Sequence, residues 1–181
     1  MKTNITQQNI PRGWQETRLI NLVEEVSTRN KDRVKYPVLS VTNSRGFVLQ
    51  SEQFARNLHS EDTGNYKIVS RGEFAYNPAR INVGSIAKLD DLPVGLLSPM
   101  YVVFKTKNNL LADYLKHYIQ TKKFNNQIRS NTAGSVRQSL NFSAFEYFGF
   151  IYPASKKEQQ KIVEILGAGD EGITKKEEVI K

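Results

Sequence analysis

The sequence contains no cysteine among its 181 residues, which excludes a disulfide framework and a thiolate metal site. Only two histidines occur, His59 and His117, and their separation does not fit a pair of metal ligands. The longest apolar runs, such as Met100–Phe104, fall far short of the roughly 20 residues that a membrane-spanning helix needs. The polar segment Met1–Asn9 has no apolar core for a signal peptide. These absences predict a cytoplasmic protein without a resident metal.

Motifs of the common enzyme classes are also missing. Neither the Gly-x-Ser-x-Gly elbow of hydrolases nor the phosphate-binding Gly-x-x-x-x-Gly-Lys-Ser/Thr loop occurs. Gly167–Gly172 matches the dinucleotide-binding fingerprint by letter, but the few residues that follow it cannot supply the required βαβ unit. The acidic pairs Glu24-Glu25 and Asp90-Asp91 are adjacent in sequence, so their carboxylates do not converge on one point. The sequence therefore predicts a non-catalytic chain that holds no cofactor.

One segment, Tyr76-Asn77-Pro78, resembles part of the Asn-Pro-Pro-aromatic motif of amino-methyltransferases. Ala79 and Arg80 follow in place of the second proline and of the aromatic residue that stacks on a flipped base. Methyl transfer within this chain is therefore rejected.

The charge of the chain is distributed unevenly. The net charge is +8, and the segment from Pro153 onwards is neutral, because six lysines balance six acidic residues. The whole excess lies in residues 1–152, where 20 basic residues face 12 acidic ones. A basic globule is the electrostatic footprint of a protein that binds the phosphate backbone of nucleic acid. A basic adaptor domain that binds an acidic protein, without nucleic acid, remains an alternative.

Hydrophobic periodicity predicts an α+β fold. The spacing of Leu19, Leu22, Val23 and Val26 predicts a short helix after the Pro11–Trp14 turn. Residues 36–50 alternate as two strands around the Arg45-Gly46 turn. Four further strands are predicted, and a fifth strand-like segment follows them: Tyr66–Val69, Glu73–Tyr76, Gly84–Lys88, Tyr101–Lys105 and Phe145–Tyr152.

Two helices are predicted in the second half of the chain. An apolar stripe from Leu111 to Ile128 predicts one helix of about 18 residues, followed by a polar loop at Ser130–Ser135. Ser155 and Glu158 form a capping-box pattern that starts a second helix at Lys156. We therefore expect a polar leader at 1–10, a mixed, strand-rich globule at 11–153 and a helical arm at 154–181.

Polar and basic residues of two regions are candidates for DNA contact. Arg80 and Asn82 lie between predicted strands, and Thr121–Gln138 contains four basic residues and no acid. Arginine suits phosphates and guanine edges, whereas asparagine and glutamine can pair with adenine. A second basic patch comprises Arg29, Lys31, Arg33 and Lys35, and a solvated polar face is the alternative for each region. The expected DNA contacts are Arg80, Asn82, Arg129, Ser135, Arg137 and Gln138, and Lys122 and Lys123 are expected to contact phosphates.

A series of short motifs, in order along the chain, resembles the target-recognition domain of the specificity (S) subunit of type I restriction-modification systems. The motifs are Gly13-Trp14-Gln15 with Leu19, Tyr36–Val41, Gly72–Tyr76, Arg80–Ser85, Leu97–Tyr101, Gly134–Arg137, and Pro153 with Glu158–Ile162. The resemblance implies a DNA-reading, target-recognition globule with a C-terminal conserved-region arm. It also implies that methyl transfer belongs to a separate adenine methyltransferase subunit, which holds S-adenosylmethionine, and that a restriction subunit joins through that complex.

The resemblance covers half of the usual arrangement. A whole S subunit carries two recognition domains, and its long helices pair as an antiparallel coiled coil that docks two methyltransferase subunits. This chain has one domain and one arm, so the alternatives are a natural half-subunit that forms a homodimer through the arm, a fragment, or the product of a truncated gene. The predicted seam comprises Ile162, Ile165, Gly169, Gly172, Lys176 and Val179. Because glycine disfavours helices and offers no knobs to a seam, we expect a break near Gly167 or a close helix approach.

Overall fold

The structure, a computed structural model, describes residues 10–53, 62–132 and 139–179, and side chains only as far as residue 168. The strands are β1 (Trp14–Arg18), β2 (Val23–Val26), β3 (Leu39–Thr42), β4 (Gly46–Leu49), β5 (Lys67–Ser70), β6 (Phe74–Tyr76), β7 (Ile86–Lys88), β8 (Val94–Leu97), β9 (Val102–Thr106) and β10 (Gly149–Pro153). The helices are α1 (Gln50–Gln53), α2 (Ala112–Tyr118), α3 (Lys122–Thr132) and α4 (Lys156–Val179). Three short 3₁₀ turns span Leu19–Asn21, Ile81–Val83 and Phe142–Tyr147. This content confirms the α+β class, and within the described residues no helix is long and apolar enough to cross a membrane.

A four-stranded antiparallel sheet in the order β2-β9-β6-β7 lies at the centre of the globule. Successive side chains of a strand point to opposite faces. Phe74 and Tyr76 of β6 therefore pack in one core, while Ala75 between them packs in the other. Burial on both faces explains why the strand Phe74–Tyr76 has no polar residue.

The first core joins this sheet to the helices and to β10. Its aromatic side chains interlock: the rings of Phe74 and Phe104 stack at 5.1 Å, and Phe145 meets Phe104 edge-on at 5.6 Å. Phe124 and Ile128 from α3 complete this core, with 0% and 1% of their surfaces exposed. The buried side of α3 is thereby anchored in the first core, and the opposite side of the helix faces solvent.

The second core lies between the central sheet and two hairpin-like pairs, β3-β4 and β5-β8. The predicted strands around the Arg45-Gly46 turn are confirmed as β3 and β4, with Leu39 paired to Leu49 and Thr42 to Gly46. A parallel bridge between Val38 and Leu96 connects the two pairs. The β3-β4 turn thus extends from strands that pack in the second core.

The predicted 18-residue helix is wrong in one respect, because the structure has two helices there. Thr121 causes the interruption: its hydroxyl donates to the Tyr118 carbonyl at 2.7 Å and accepts from the Phe124 N–H at 3.2 Å. This side chain ends one helix and caps the next, as threonine does at helix starts. Helix α3 then runs to Thr132, through the first residues of the predicted polar loop.

The helix predicted from Leu19, Leu22, Val23 and Val26 is also wrong. Residues Trp14–Arg18 form β1 and pair with β10, and Val23–Val26 form β2 beside β9. Both partner strands are distant in sequence, with Val26 paired to Val103 and Trp14 paired to Pro153, so long-range pairing overrides a spacing that is helical only locally. Glu24 and Glu25 point to different partners, Lys105 at 2.8 Å and Lys67 at 3.9 Å, which confirms that they form no carboxylate pair.

Helix α4 starts at Lys156, as the capping pattern predicts, and extends to Val179 as one helix. The break considered near Gly167 is therefore absent. The Glu158 carboxylate accepts a 3.0 Å hydrogen bond from the Trp14 indole, which ties the first turn of the arm to β1. Of Phe145–Tyr152, predicted as strand-like, the first part is a 3₁₀ turn and only the second part belongs to β10.

Candidate nucleic-acid interface

The turn between β3 and β4 carries three exposed polar side chains, Asn43, Ser44 and Arg45. Thr42 closes this turn, because its hydroxyl donates to the Gly46 carbonyl at 3.1 Å and accepts from the Arg45 N–H at 3.0 Å. Gly46 adopts φ +62°, a conformation that glycine reaches at little cost. The turn therefore exposes its three polar side chains from a backbone that is fixed by hydrogen bonds.

The loop Asn77–Ser85 is a second hydrogen-bonded element. The backbone N–H of Asn77 donates to the Ser85 carbonyl at 3.2 Å, and the N–H of Arg80 donates to the Asn77 carbonyl at 2.9 Å. The Asn77 side chain, only 8% exposed, accepts from the Ala79 N–H at 3.0 Å, and Ile81 is fully buried. The Asn77 side chain thus stabilises the conformation of the loop, and Arg80 is exposed within it.

These two elements lie against each other. The Ser85 hydroxyl donates a buried 2.7 Å hydrogen bond to the Val41 carbonyl in β3. A Cβ atom added at Gly84 would lie 3.5 Å from the Asn43 Cβ, an ordinary van der Waals distance, so the β3-β4 turn lies directly beside this glycine. The spacing between the two elements is fixed by buried contacts.

A cleft of about 470 Å³ opens between the turn and the loop. Among the described residues, its lining includes the guanidinium-bearing Arg45 and Arg80, several small polar side chains and no acidic residue. Val83 and Met100 add exposed apolar surface, with 52% and 58% of each residue accessible. Two arginines in a described lining that holds no carboxylate make this cleft suited to an anionic ligand that also has hydrogen-bonding edges.

A neighbouring cleft of about 430 Å³ lies on the other side of the same turn and has a different charge. Lys88 bonds to Asp113 and contacts Asp90 at 2.6 Å, and Lys116 contacts Asp90 at 2.7 Å. These contacts join β7 to α2 and neutralise the charges of this cleft.

The pKa values of this network follow from burial and pairing. Burial alone would raise the pKa of Asp90, but hydrogen bonds from Lys116 and Lys88 outweigh it and hold that pKa below its ordinary value. Burial likewise disfavours the charged form of Lys88, yet its bonds to Asp113 and Asp90 raise the pKa of the ammonium group overall. Asp90 and Lys88 therefore remain charged near neutral pH.

Five of the predicted DNA-contact residues lie in the described part of the chain. Arg80 lines the acid-free cleft, and Asn82 is half-buried in the Ile81–Val83 turn. Lys122, Lys123 and Arg129 are exposed on α3, which packs against that same turn. The structure thus groups these five on adjoining elements. Ser135, Arg137 and Gln138 lie outside the described residues, and their predicted roles stay predictions.

The turn residues Asn43, Ser44 and Arg45 were missed as contact candidates by sequence reasoning. The available signal was a run of polar residues at a predicted hairpin tip. In the basic patch predicted at Arg29–Lys35, the charge of Arg33 is paired with Asp62 at 3.2 Å, and Arg29 already donates a hydrogen bond to the Asn65 carbonyl at 2.7 Å. That patch is therefore a weaker candidate for DNA contact than the cleft.

Comparison with solved structures gives the same overall fold. A chain from a type I R-M system, solved in work on complex assembly and conformational transition, is 15% identical, with a TM-score of 0.70 over 94% of this chain and 45% of that one. The HsdS subunit from Thermoanaerobacter tengcongensis is 17% identical, with a TM-score of 0.66 over 94% of this chain and 45% of that one. The S subunit of the type I restriction-modification system from M. genitalium is 13% identical, with a TM-score of 0.54 over 92% and 41%.

Two facts bound what these similarities mean. The chain spans less than half the length of these structural relatives. No curated protein matches the sequence significantly. The family described as "Type I restriction modification DNA specificity domain", however, matches residues 26–181, which is most of the chain. The resemblance inferred from the short motifs is thereby confirmed: the chain belongs to the family of type I restriction-modification DNA specificity domains.

Proposed function

We propose that this chain recognises one half of a split target sequence in duplex DNA, on behalf of a type I restriction-modification complex. The observation that carries the proposal is the acid-free cleft with Arg45 and Arg80, held between two hydrogen-bonded loops. Side chains on loops fixed by a rigid scaffold are well suited to reading base edges. The family match favours DNA over an acidic protein as the ligand.

Helix α3 supplies the second part of the proposed interface. Lys122, Lys123 and Arg129 are exposed, whereas Phe124 and Ile128 on the opposite side are buried. Cations on an anchored helix beside a recognition loop can bind phosphates and so fix the register of the loop on the duplex. We assign phosphate contact to the two lysines, and base contact to Arg80, Asn82 and Arg129. Ser135, Arg137 and Gln138 keep the DNA-contact role predicted from the sequence.

The chemistry is assigned to other subunits. We propose that a separate adenine methyltransferase subunit, with its own S-adenosylmethionine, modifies the target, and that a restriction subunit joins through that complex. This chain would act without a cofactor, as a non-catalytic reader in the cytoplasm. Within the described residues no group of three or more histidine, cysteine or acidic side chains could hold a metal ion, and the proposal requires none.

The arm is the proposed contact with other subunits. We divide the chain into a recognition domain at 11–153 and an arm at 154–181. Ile165 and Leu166 on α4 are 72% and 44% exposed, which is apolar surface available to a partner helix. We place both the methyltransferase contact and a homodimer contact on this arm. Sedimentation of the purified chain tests the homodimer, and Ile165→Ser should reduce the dimer fraction.

Selection from a library of randomised duplexes tests the DNA-reading proposal. The purified full chain is mixed with the library at moderate salt, and the bound duplexes are sequenced over several rounds. We expect one short motif to be enriched, and a duplex that carries it to compete better than a scrambled duplex of the same composition. Binding without any enriched motif would contradict sequence reading, and no binding at all would favour the adaptor alternative.

A further inference from the structure

We infer that the Asn43–Arg45 turn is a second base-reading element beside the Arg80 loop, and that the Arg45 guanidinium binds the edge of a guanine in the major groove. The inference rests on the proposed function and deepens it, because it assigns one kind of base to one residue. It is carried by the availability of Arg45, by the rigidity of the turn and by the charge of the cleft.

The Arg45 side chain is free to bind a ligand. It is exposed, and its guanidinium makes no hydrogen bond or ion pair with another described residue. Four other arginines each donate a side-chain hydrogen bond within the described chain: Arg18, Arg29, Arg33 and Arg71. Arg45 therefore keeps its five donors for an external acceptor.

The backbone beneath Arg45 is fixed before any ligand arrives. The Thr42 hydroxyl bonds to the Arg45 N–H on one side and to the Gly46 carbonyl on the other, at 3.0 Å and 3.1 Å. A Cβ atom added at Gly46 would lie 3.3 Å from the Ala87 Cβ, so the end of the turn sits closely on β7. A contact made from a pre-organised turn loses little entropy on binding.

The surroundings of Arg45 select the ligand. Among the described residues, the cleft that Arg45 shares with Arg80 has no carboxylate in its lining. Arg45 also lines the neighbouring cleft, but Asp90 there is already paired with Lys88 and Lys116. Guanine presents N7 and O6 as paired acceptors in the major groove, and the planar fork of arginine matches both at once. The Asn43 residue lies beside Gly84 of the Arg80 loop, and both arginines line the same cleft, so both can face the same groove.

The test repeats the randomised-duplex selection with four full-length proteins: the wild type, Arg45→Ala, Arg45→Lys and Arg18→Ala. Arg18 is an exposed arginine outside the cleft, so Arg18→Ala controls for the loss of one positive charge. We expect Arg45→Ala to lose the preference for guanine at one position of the motif and to keep the preferences elsewhere. Arg45→Lys should keep part of the affinity but lose most of that preference, because lysine lacks the planar fork. Arg18→Ala should enrich the wild-type motif.

A chemical substitution in the DNA checks the same contact from the other side. Replacing the affected guanine by 7-deazaguanine removes N7, and we expect a loss of about tenfold in wild-type affinity. Arg45→Ala should bind both duplexes equally. If all four proteins enrich one identical motif, the assignment of Arg45 is overturned while the proposed function stands. If the wild type enriches no motif, the proposed function fails and this inference fails with it.

Discussion

The side-chain oxygen of Gln159 accepts a 2.8 Å hydrogen bond from the backbone N–H of Leu111. Gln159 lies in the second turn of α4, and Leu111 immediately precedes α2. The amide nitrogen of the same glutamine donates to the carbonyls of Asn109 and Pro153, at 3.0 Å and 2.9 Å. A fully buried side chain thus joins the arm to two segments of the recognition domain. Together with the Trp14–Glu158 hydrogen bond, these contacts fix the start of α4 on the domain.

Gln159→Ala should therefore destabilise the recognition domain together with the arm. It leaves one N–H and two carbonyls without their partner, which we expect to lower the free energy of unfolding by about 3 kcal/mol. Urea denaturation followed by circular dichroism measures the change. The matched control is Gln160→Ala, because Gln160 is exposed and bonds only to Glu164 in its own helix. Equal stability of the two variants would show that the Gln159 contacts do not hold the arm.

Gly95→Ala should also destabilise the chain, for a steric reason. A Cβ atom at position 95 would lie 2.3 Å from Cδ1 and 2.8 Å from Cγ of Leu39, inside the second core. We expect a loss of about 1 to 3 kcal/mol, and partial recovery in the double variant with Leu39→Ala. Gly167→Ala is the opposite control: nothing lies within 4 Å of its added Cβ, so it should stabilise the helix. Thermal melting of the three variants checks the order of their stabilities. A Gly95→Ala variant as stable as wild type would contradict the packing described.

The network around Asp90 should make stability depend on acid pH. The folded-state pKa of Asp90 is held below its ordinary value of 3.8, so the unfolded chain binds the proton more readily. The stabilisation is therefore complete above that value and is lost as the pH falls through the folded-state pKa. Asp90→Asn should lower stability at neutral pH by about 1 kcal/mol, and the difference from wild type should shrink below pH 3.8. Urea titrations across this pH range measure the effect, and Asp91→Asn is the neighbouring control. A stability difference between Asp90→Asn and wild type that did not change with pH would contradict the assignment.

Lysines on α3 and arginines at the cleft should affect DNA binding in different ways. Lys122→Ala should weaken binding to all duplexes and reduce the steepness of log affinity against log salt by about 0.9, as the loss of one phosphate contact does. Arg80→Ala should instead relax the preference for one base position. Fluorescence anisotropy with the selected and scrambled duplexes separates the two effects. A Lys122→Ala variant with an unchanged salt slope would remove this residue from the phosphate contacts.

The extent to which the fold follows from local sequence differs between its elements. The β3-β4 hairpin and the start of α4 were predicted because their signals, a Gly turn and a serine followed by lysines and glutamate, act over a few residues. Strands β1 and β2 were not, since their partners β10 and β9 are distant and the local spacing of Leu19 and Leu22 is helical. The strand β8 was missed because Gly95, which admits Leu39, weakens its strand pattern.

The candidate interface was predictable only in part. Arg80 could be selected because it stands between predicted strands, and the α3 lysines because their segment has no acid. Arg45 could not, since its importance depends on the approach of the turn to Gly84 and on the acid-free cleft that results. Contacts between loops distant in sequence are what bring these residues together.

The most direct test of the central claim is a map of N6-methyladenine across the genome of the native host, with and without the gene for this chain. We predict that deletion removes methylation at one split motif and leaves other motifs unchanged. Re-expression of the wild-type gene should restore that motif. An identical methylation map in both strains, with the methyltransferase subunit expressed, would contradict the claim that this chain directs methylation to a DNA sequence.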